Sequence, residues 1–184
     1  MRPLSPAEAF AVRAAEGWLI LGDAFEANEE LDAVAPGYRA HPAILAMRWQ
    51  VYAAAESWEA AWRVAKVLCD VVPENAEVWI CYANTLRHYK GLSDARQALK
   101  DVAEKFPNDA VIRYNLACYS AQLGQMDEAS SWLVKAFELK NADPLKMAAI
   151  CDPDLKPLWD RIGRGSAPQL ERHFQSLKER KSFS

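Results

Sequence analysis

Residues 76–109 read AEVWICYANTLRHYKGLSDARQALKDVAEKFPND, and this stretch decides the fold. With Ala76 as position 1 of a 34-residue unit, Trp79, Tyr82, Ala83 and Leu86 stand at positions 4, 7, 8 and 11, and Ala95, Leu99 and Pro107 at 20, 24 and 32. The first four recur at helical spacing and so share one face of a helix. Gly91 marks a turn, after which Ala95 and Leu99 share a face of a second helix. Alanine at positions 8 and 20 lets two antiparallel helices approach closely, the large apolar residues fill the seam, and Pro107 stops the second helix.

The same 34-residue frame covers 42–75 and 8–41 on one side and 110–143 on the other. Position 20 is then Ala27, Ala61, Ala95 and Ala129, an alanine in each of four units. The first unit is the most degenerate, as expected of a repeat with one face in solvent. In it Pro6 predicts a helix to about Leu21, Gly22 the turn, and Phe25 to about Val34 a second helix broken by Pro36-Gly37. The second unit has Trp49 at position 8 with Ala65 at position 24, which reads as an exchange of volume between facing positions. Tyr52, Trp58 and Trp62 read as the core of that helix pair. Asn75 is placed to cap the first helix of the third unit. Arg48 and Arg113 occupy seam positions 7 and 4, so their stems should cover apolar surface while their heads reach a carboxylate or a backbone oxygen.

After Asp143 the pattern changes. Asp143-Pro144 predicts a short helix to about Cys151, and Asp152-Pro153-Asp154 a second one with Leu155, Leu158, Trp159 and Ile162 apolar, able to lie across the last unit as a lid. Gly163–Ser166 is a hinge by composition. From Pro168 to about Lys181, Leu170, Phe174 and Leu177 fall at i, i+4 and i+7, an amphipathic helix with a basic end. The expected domains are therefore 1–162, including a cap at 144–162, and a tail at 163–184.

This pattern resembles the tetratricopeptide repeat (TPR). The resemblance implies an all-α fold, a right-handed superhelix or α-solenoid of four helix-turn-helix hairpins plus C-terminal capping helices. It also implies a non-enzymatic interaction module whose first helices line a concave groove for a peptide or helix of a partner protein. Carried over by position, that groove contains Ala46 and Gln50 in the second unit, Ile80, Asn84, Arg87 and His88 in the third, and Tyr114, Asn115, Cys118 and Gln122 in the fourth. Members that clamp a carboxylate tail use lysine or other cations beside two asparagines. Asn84 and Asn115 match the asparagines, but Ile80, Leu145 and Ala149 stand where the cations should be, so a buried carboxylate would lack compensation. The two asparagines are left as contacts to a peptide backbone or as hydrogen bonds between repeats. Arg87 and His88 suit an acidic ligand group or a solvated groove wall. A chaperone for secreted or assembly partners, resembling the small TPR chaperones of bacterial secretion, and a structural subunit of a homo-oligomer built through its ends or C-terminal helix are the alternatives.

Composition agrees with such a module. Of the 184 residues, 51% are hydrophobic, enough for a continuous core. A formal charge of −3 argues against a nucleic-acid partner bound through phosphates. Cys69, Cys81, Cys118 and Cys151 have neither metal-site spacing nor the density of a disulfide framework, and read as small core or groove residues in a reducing compartment. No apolar leader and no run of 18 apolar residues occurs, so a cytoplasmic location and no membrane partner are expected. Phosphate-loop, nucleophile-elbow and zinc-helix motifs are missing, and His41, His88 and His173 fall in different segments. No enzyme activity, cofactor or metal is expected.

Overall fold

The computed structural model describes residues 3–139 and 143–162, all helix, turn and connection with no strand among them. The predicted tail helix at 168–181 lies outside the described residues. Contacts divide the chain into two compact units, with the boundary between Ala95 and Arg96.

The first unit opens with α1 (Pro6–Ile20) and α2 (Ala24–Asp32). Pro6 stands in the first turn of α1, where its missing N–H costs nothing, and the Ser5 hydroxyl donates to the Glu8 carboxylate across that turn. Gly22, at φ +82°, reverses the chain, and the Asp23 carboxylate accepts from the Glu26 N–H at 3.0 Å to begin α2. A 3-10 turn at Pro36–Tyr38 leads to α3 (Pro42–Ala54), then α4 (Trp58–Val71) and α5 (Ala76–Tyr89). Asn75 caps α5 as expected, its side chain accepting from the Glu77 N–H at 2.9 Å.

Seam positions behave as their sizes dictate. Ala15, Ala27, Ala61, Ala83 and Ala95 are completely buried, and so is Leu31, which packs with Ala15, Ala27, Met47 and Val51. Arg48 crosses this seam and donates to the Asp32 carboxylate at 2.7 Å and to the Leu31 carbonyl at 2.8 Å. The volume that Trp49 brings is directed at α5, where its indole N–H donates to the Thr85 hydroxyl at 2.8 Å. Thr85, itself buried, donates in turn to the Cys81 carbonyl at 2.8 Å, so no polar group in this contact is left without a partner. The aromatic trio differs from the expected pair core. Trp58 and Trp62 are half-buried and reach α5, where Trp58 stacks on His88 at 4.0 Å and Trp62 meets Tyr89 at 5.5 Å.

The loop between α3 and α4 departs from its neighbours. Gly22 and Gly124 hold position 15 in the left-handed region, whereas the second unit holds Glu56 there at φ +53°. A Cβ in that region costs about 1–2 kcal/mol, and glycine's extra chain entropy returns about half of this. Glu56→Gly is therefore expected to raise the unfolding free energy by about 0.5–1 kcal/mol. Urea denaturation checks it, and an unchanged midpoint would show that the turn relaxes around the side chain.

The second unit contains the rest of α6 (Leu92–Val102), then α7 (Ala110–Gln122), α8 (Met126–Phe137), α9 (Asp143–Cys151), a 3-10 turn at Pro153–Leu155 and α10 (Lys156–Ile162). Asp109 caps α7 by accepting from the Ile112 N–H at 2.9 Å. Glu128 on α8 joins Arg96 at 2.5 Å and Lys100 at 3.2 Å on α6. Partial burial would raise the Glu128 carboxyl pKa, but the Lys100 and Trp132 hydrogen bonds and the nearby Arg96 charge outweigh it and hold it below the usual range. The core gathers Ala117, Ala129, Leu133 and Ala136 with Leu155 and Leu158, all at most 1% exposed. Trp159 closes the edge by donating to the Ala149 carbonyl at 2.9 Å. The 152–159 segment thus lies on α7 and α8, where the sequence predicted a lid.

Position 4 shows how one repeat replaces an aromatic with a cation. The Trp79 indole N–H donates to the carbonyl of Pro73, six residues back, at 2.9 Å. Arg113 reaches the equivalent Pro107 carbonyl, also six residues back, and adds a 3.1 Å bond to the Asp109 carbonyl. Both side chains carry an N–H to the same place in the loop before their helix.

Candidate peptide-binding surface

Within the first unit, the predicted groove residues lie on α3 and α5, which the Trp49–Thr85 bond ties together. Ala46 and Gln50 are one turn apart, as are Ile80 and Asn84, with Arg87 on the next turn. Ala46 is half-buried against Leu45, Leu68 and Val78, while Gln50 is exposed. Ile80, Asn84 and Arg87 are half-buried. The surface therefore carries small and apolar groups together with amide and guanidinium groups. His88 is drawn elsewhere. Its ring lies nearly parallel to Trp58, at 11°, which turns it toward α4. Next to that stack is a cleft of about 590 Å³ lined by Tyr52, Trp58, Glu59, Arg63 and neighbouring residues of α4, which the sequence did not mark.

In the second unit, α7 carries Tyr114, Asn115, Cys118 and Gln122. Tyr114 and Cys118 were expected as open floor, but they are 7% and 3% exposed. The reason is Asp152. Its Oδ2 accepts from the Tyr114 hydroxyl at 2.6 Å and lies 3.8 Å from the Cys118 sulfur, while Oδ1 accepts from the Asp154 N–H at 2.9 Å. Burial, and then the bond to Asp152, drive the Tyr114 pKa well above the ordinary tyrosine value. Asn115 donates to the Val111 carbonyl of its own helix at 2.9 Å, and Gln122 is half-buried. Nothing periodic in the sequence links Asp152 to Tyr114, and Asp152 before proline reads there only as a cap.

The cysteines separate by environment. Cys69 and Cys118 are buried, Cys81 is half-buried, and Cys151, expected as a core or groove residue, is exposed near the end of α9. Burial first, then Asp70 and Cys81, pushes the Cys69 thiol up to about 12, and burial raises Cys81 as well. A thiolate is needed for attack on a disulfide reagent. With the folded protein at pH 8, one thiol is expected to react quickly, and Cys151→Ser is expected to remove that phase. A fast phase that survives the substitution would contradict this assignment. Among the described residues, no group of three His, Cys, Asp or Glu side chains is placed to hold a metal ion, and no helix is long and apolar enough to cross a membrane.

No protein-family model matches the sequence, and no curated protein matches it. Solved structures do. A thermophilic TPR protein from Thermus thermophilus, TTC0263, is similar at 18% identity over 85% of this chain and 84% of its own, with a TM-score of 0.63. MamA from Desulfovibrio magneticus RS-1, from its residue 41 onward, is similar at 16% identity over 96% and 98% of the two chains, with a TM-score of 0.67. MamA AMB-1 is similar at 17% identity over 98% and 100%, with a TM-score of 0.62. Helical hairpins of 34 residues, alanine-lined seams and these likenesses agree that the fold is the all-α fold of the tetratricopeptide-repeat proteins.

Proposed function

We propose that this chain is a non-enzymatic protein-interaction module that holds an extended peptide of a partner on the first helices of its hairpins. The observation that carries this reading is the Asp152 contact. Positions 5 and 9 of the fourth repeat, Tyr114 and Cys118, already engage the side chain of Asp152, an extended residue between α9 and the 3-10 turn. The same positions on α3 and α5 are Ala46, Gln50, Ile80 and Asn84, which present apolar floor and amides suited to a peptide's side chains and backbone. A surface built on packed helices is already ordered, so most of the entropic cost falls on the peptide.

Selection of a displayed random-peptide library on the intact protein tests the reading. Selected peptides are expected to bind the wild type and to lose about tenfold or more in affinity on a Gln50→Arg, Asn84→Arg double variant, equal to about 1.4 kcal/mol or more. Circular dichroism establishes that the variant is folded. Peptides that bind both proteins equally, or a selection that yields none, would remove the α3–α5 surface from consideration.

A further inference from the structure

The first helix leaves bare two positions that every later hairpin buries. Position 3 of the repeat is Ile44, Val78 and Ile112 in the second, third and fourth units, which are 0%, 7% and 0% exposed, whereas Phe10 at the same position is 63% exposed. Position 10 is Val51, Thr85 and Tyr119, each at most 1% exposed. Its counterpart in the first unit is Gly17, where an added Cβ would meet nothing within 4 Å. Phe10, Ala14, Gly17 and Leu21 follow one another at helical spacing, and Leu21 at the end of the helix is 76% exposed. This makes an apolar strip along α1. Alongside, α2 exposes Glu26 and Glu29. The Phe10 position, which the repeat geometry buries in every later unit, is built to be covered, and the acidic flank beside it prefers a basic cover.

We infer that this face binds residues 168–181 of a second copy of the chain. That segment reads PQLERHFQSLKERK, with Leu170, Phe174 and Leu177 at the spacing of the α1 strip. As a helix it is about 21 Å long, against about 22 Å for α1. Arg172, Lys178, Arg180 and Lys181 outnumber Glu171 and Glu179, so its charge is opposite to that of α2. Each copy then offers one face and one segment, so the contact closes as a reciprocal two-fold exchange or continues into larger rings or chains.

Light scattering after size exclusion, on the full chain over about a hundredfold range of concentration, tests this. The wild-type mass is expected to rise above the single-chain 20.6 kDa with concentration. Phe10→Glu and Phe174→Glu should each hold the mass at one chain. Mixed in equal amounts, they retain one intact face and one intact segment between them and should form a two-chain complex and nothing larger. A wild type that stays at one chain throughout overturns the inference, and so does a mixture that restores no assembly. Assembly that survives Phe174→Glu also overturns it, assigning the face to another occupant such as a second α1. Phe10 is largely exposed, so its substitution should spare the fold; if circular dichroism shows otherwise, Leu21→Glu takes its place.

Discussion

Leu133→Ala is expected to lower the unfolding free energy by about 3–4 kcal/mol and the melting temperature by roughly 10 °C. Leu133 is completely buried on α8, where it packs with Ala117, Ala129, Leu155 and Leu158. Removing its branched end forfeits the transfer energy of three carbons and leaves a cavity. The cavity term should be near the upper end of its range. Collapse would need neighbours that can move in, but the seam is lined by Ala117, Ala129 and Ala136, whose side chains have no torsion to adjust. Thermal and urea melts followed by circular dichroism and by tryptophan fluorescence, to which Trp132 and Trp159 beside this core contribute, measure the loss. A loss under about 1 kcal/mol would mean that the 152–159 segment shifts to fill the space.

Asp152→Ala is expected to cost about 2–3 kcal/mol and to expose the α7 surface. The substitution removes the acceptor of a buried tyrosine hydroxyl and the cap of a 3-10 turn in one step. A charged acceptor is worth about 1.5–3 kcal/mol, and a cap typically about 1 kcal/mol, but the two share one side chain and will not add fully. Asp152→Asn keeps an acceptor oxygen and should cost less. The discriminating readout is Cys118, which now lies under Asp152. In Asp152→Ala it should react with a disulfide reagent at neutral pH well before global unfolding. If Cys118 stays protected, the segment is held by Leu155 and Leu158 alone, and the carboxylate is not what keeps it in place.

The repeat was legible because seam positions tolerate only certain sizes. Ala27, Ala61, Ala95 and Ala129 are all completely buried, and no larger side chain could occupy them without separating the helices. Local caps were equally plain, since Asn75 satisfies amides within two residues of itself. The candidate site was less readable. Position counting placed Ala46, Gln50, Ile80 and Asn84 on two adjacent helices, but nothing in it says that Tyr114 and Cys118 are covered by a residue more than thirty positions later. A half-buried aromatic gives no sign of which neighbour it will choose, so the stack of Trp58 on His88 was missed. Phe10 looks like Ile44, Val78 and Ile112 on paper. Only the structure distinguishes an apolar residue with a neighbour from one without.

Arg113 and Trp79 bear on how such a chain can change over time. In the third and fourth repeats the loop receives an N–H of sufficient reach, aimed at the carbonyl of a proline six residues back. An aromatic ring and a guanidinium both supply it, although they differ in shape, charge and nearly every class used to compare residues. These two repeats can therefore exchange a neutral side chain for a cationic one at this position while keeping the same bond to the loop. Duplicated hairpins that obey this rule will look unrelated letter by letter while remaining mechanically interchangeable.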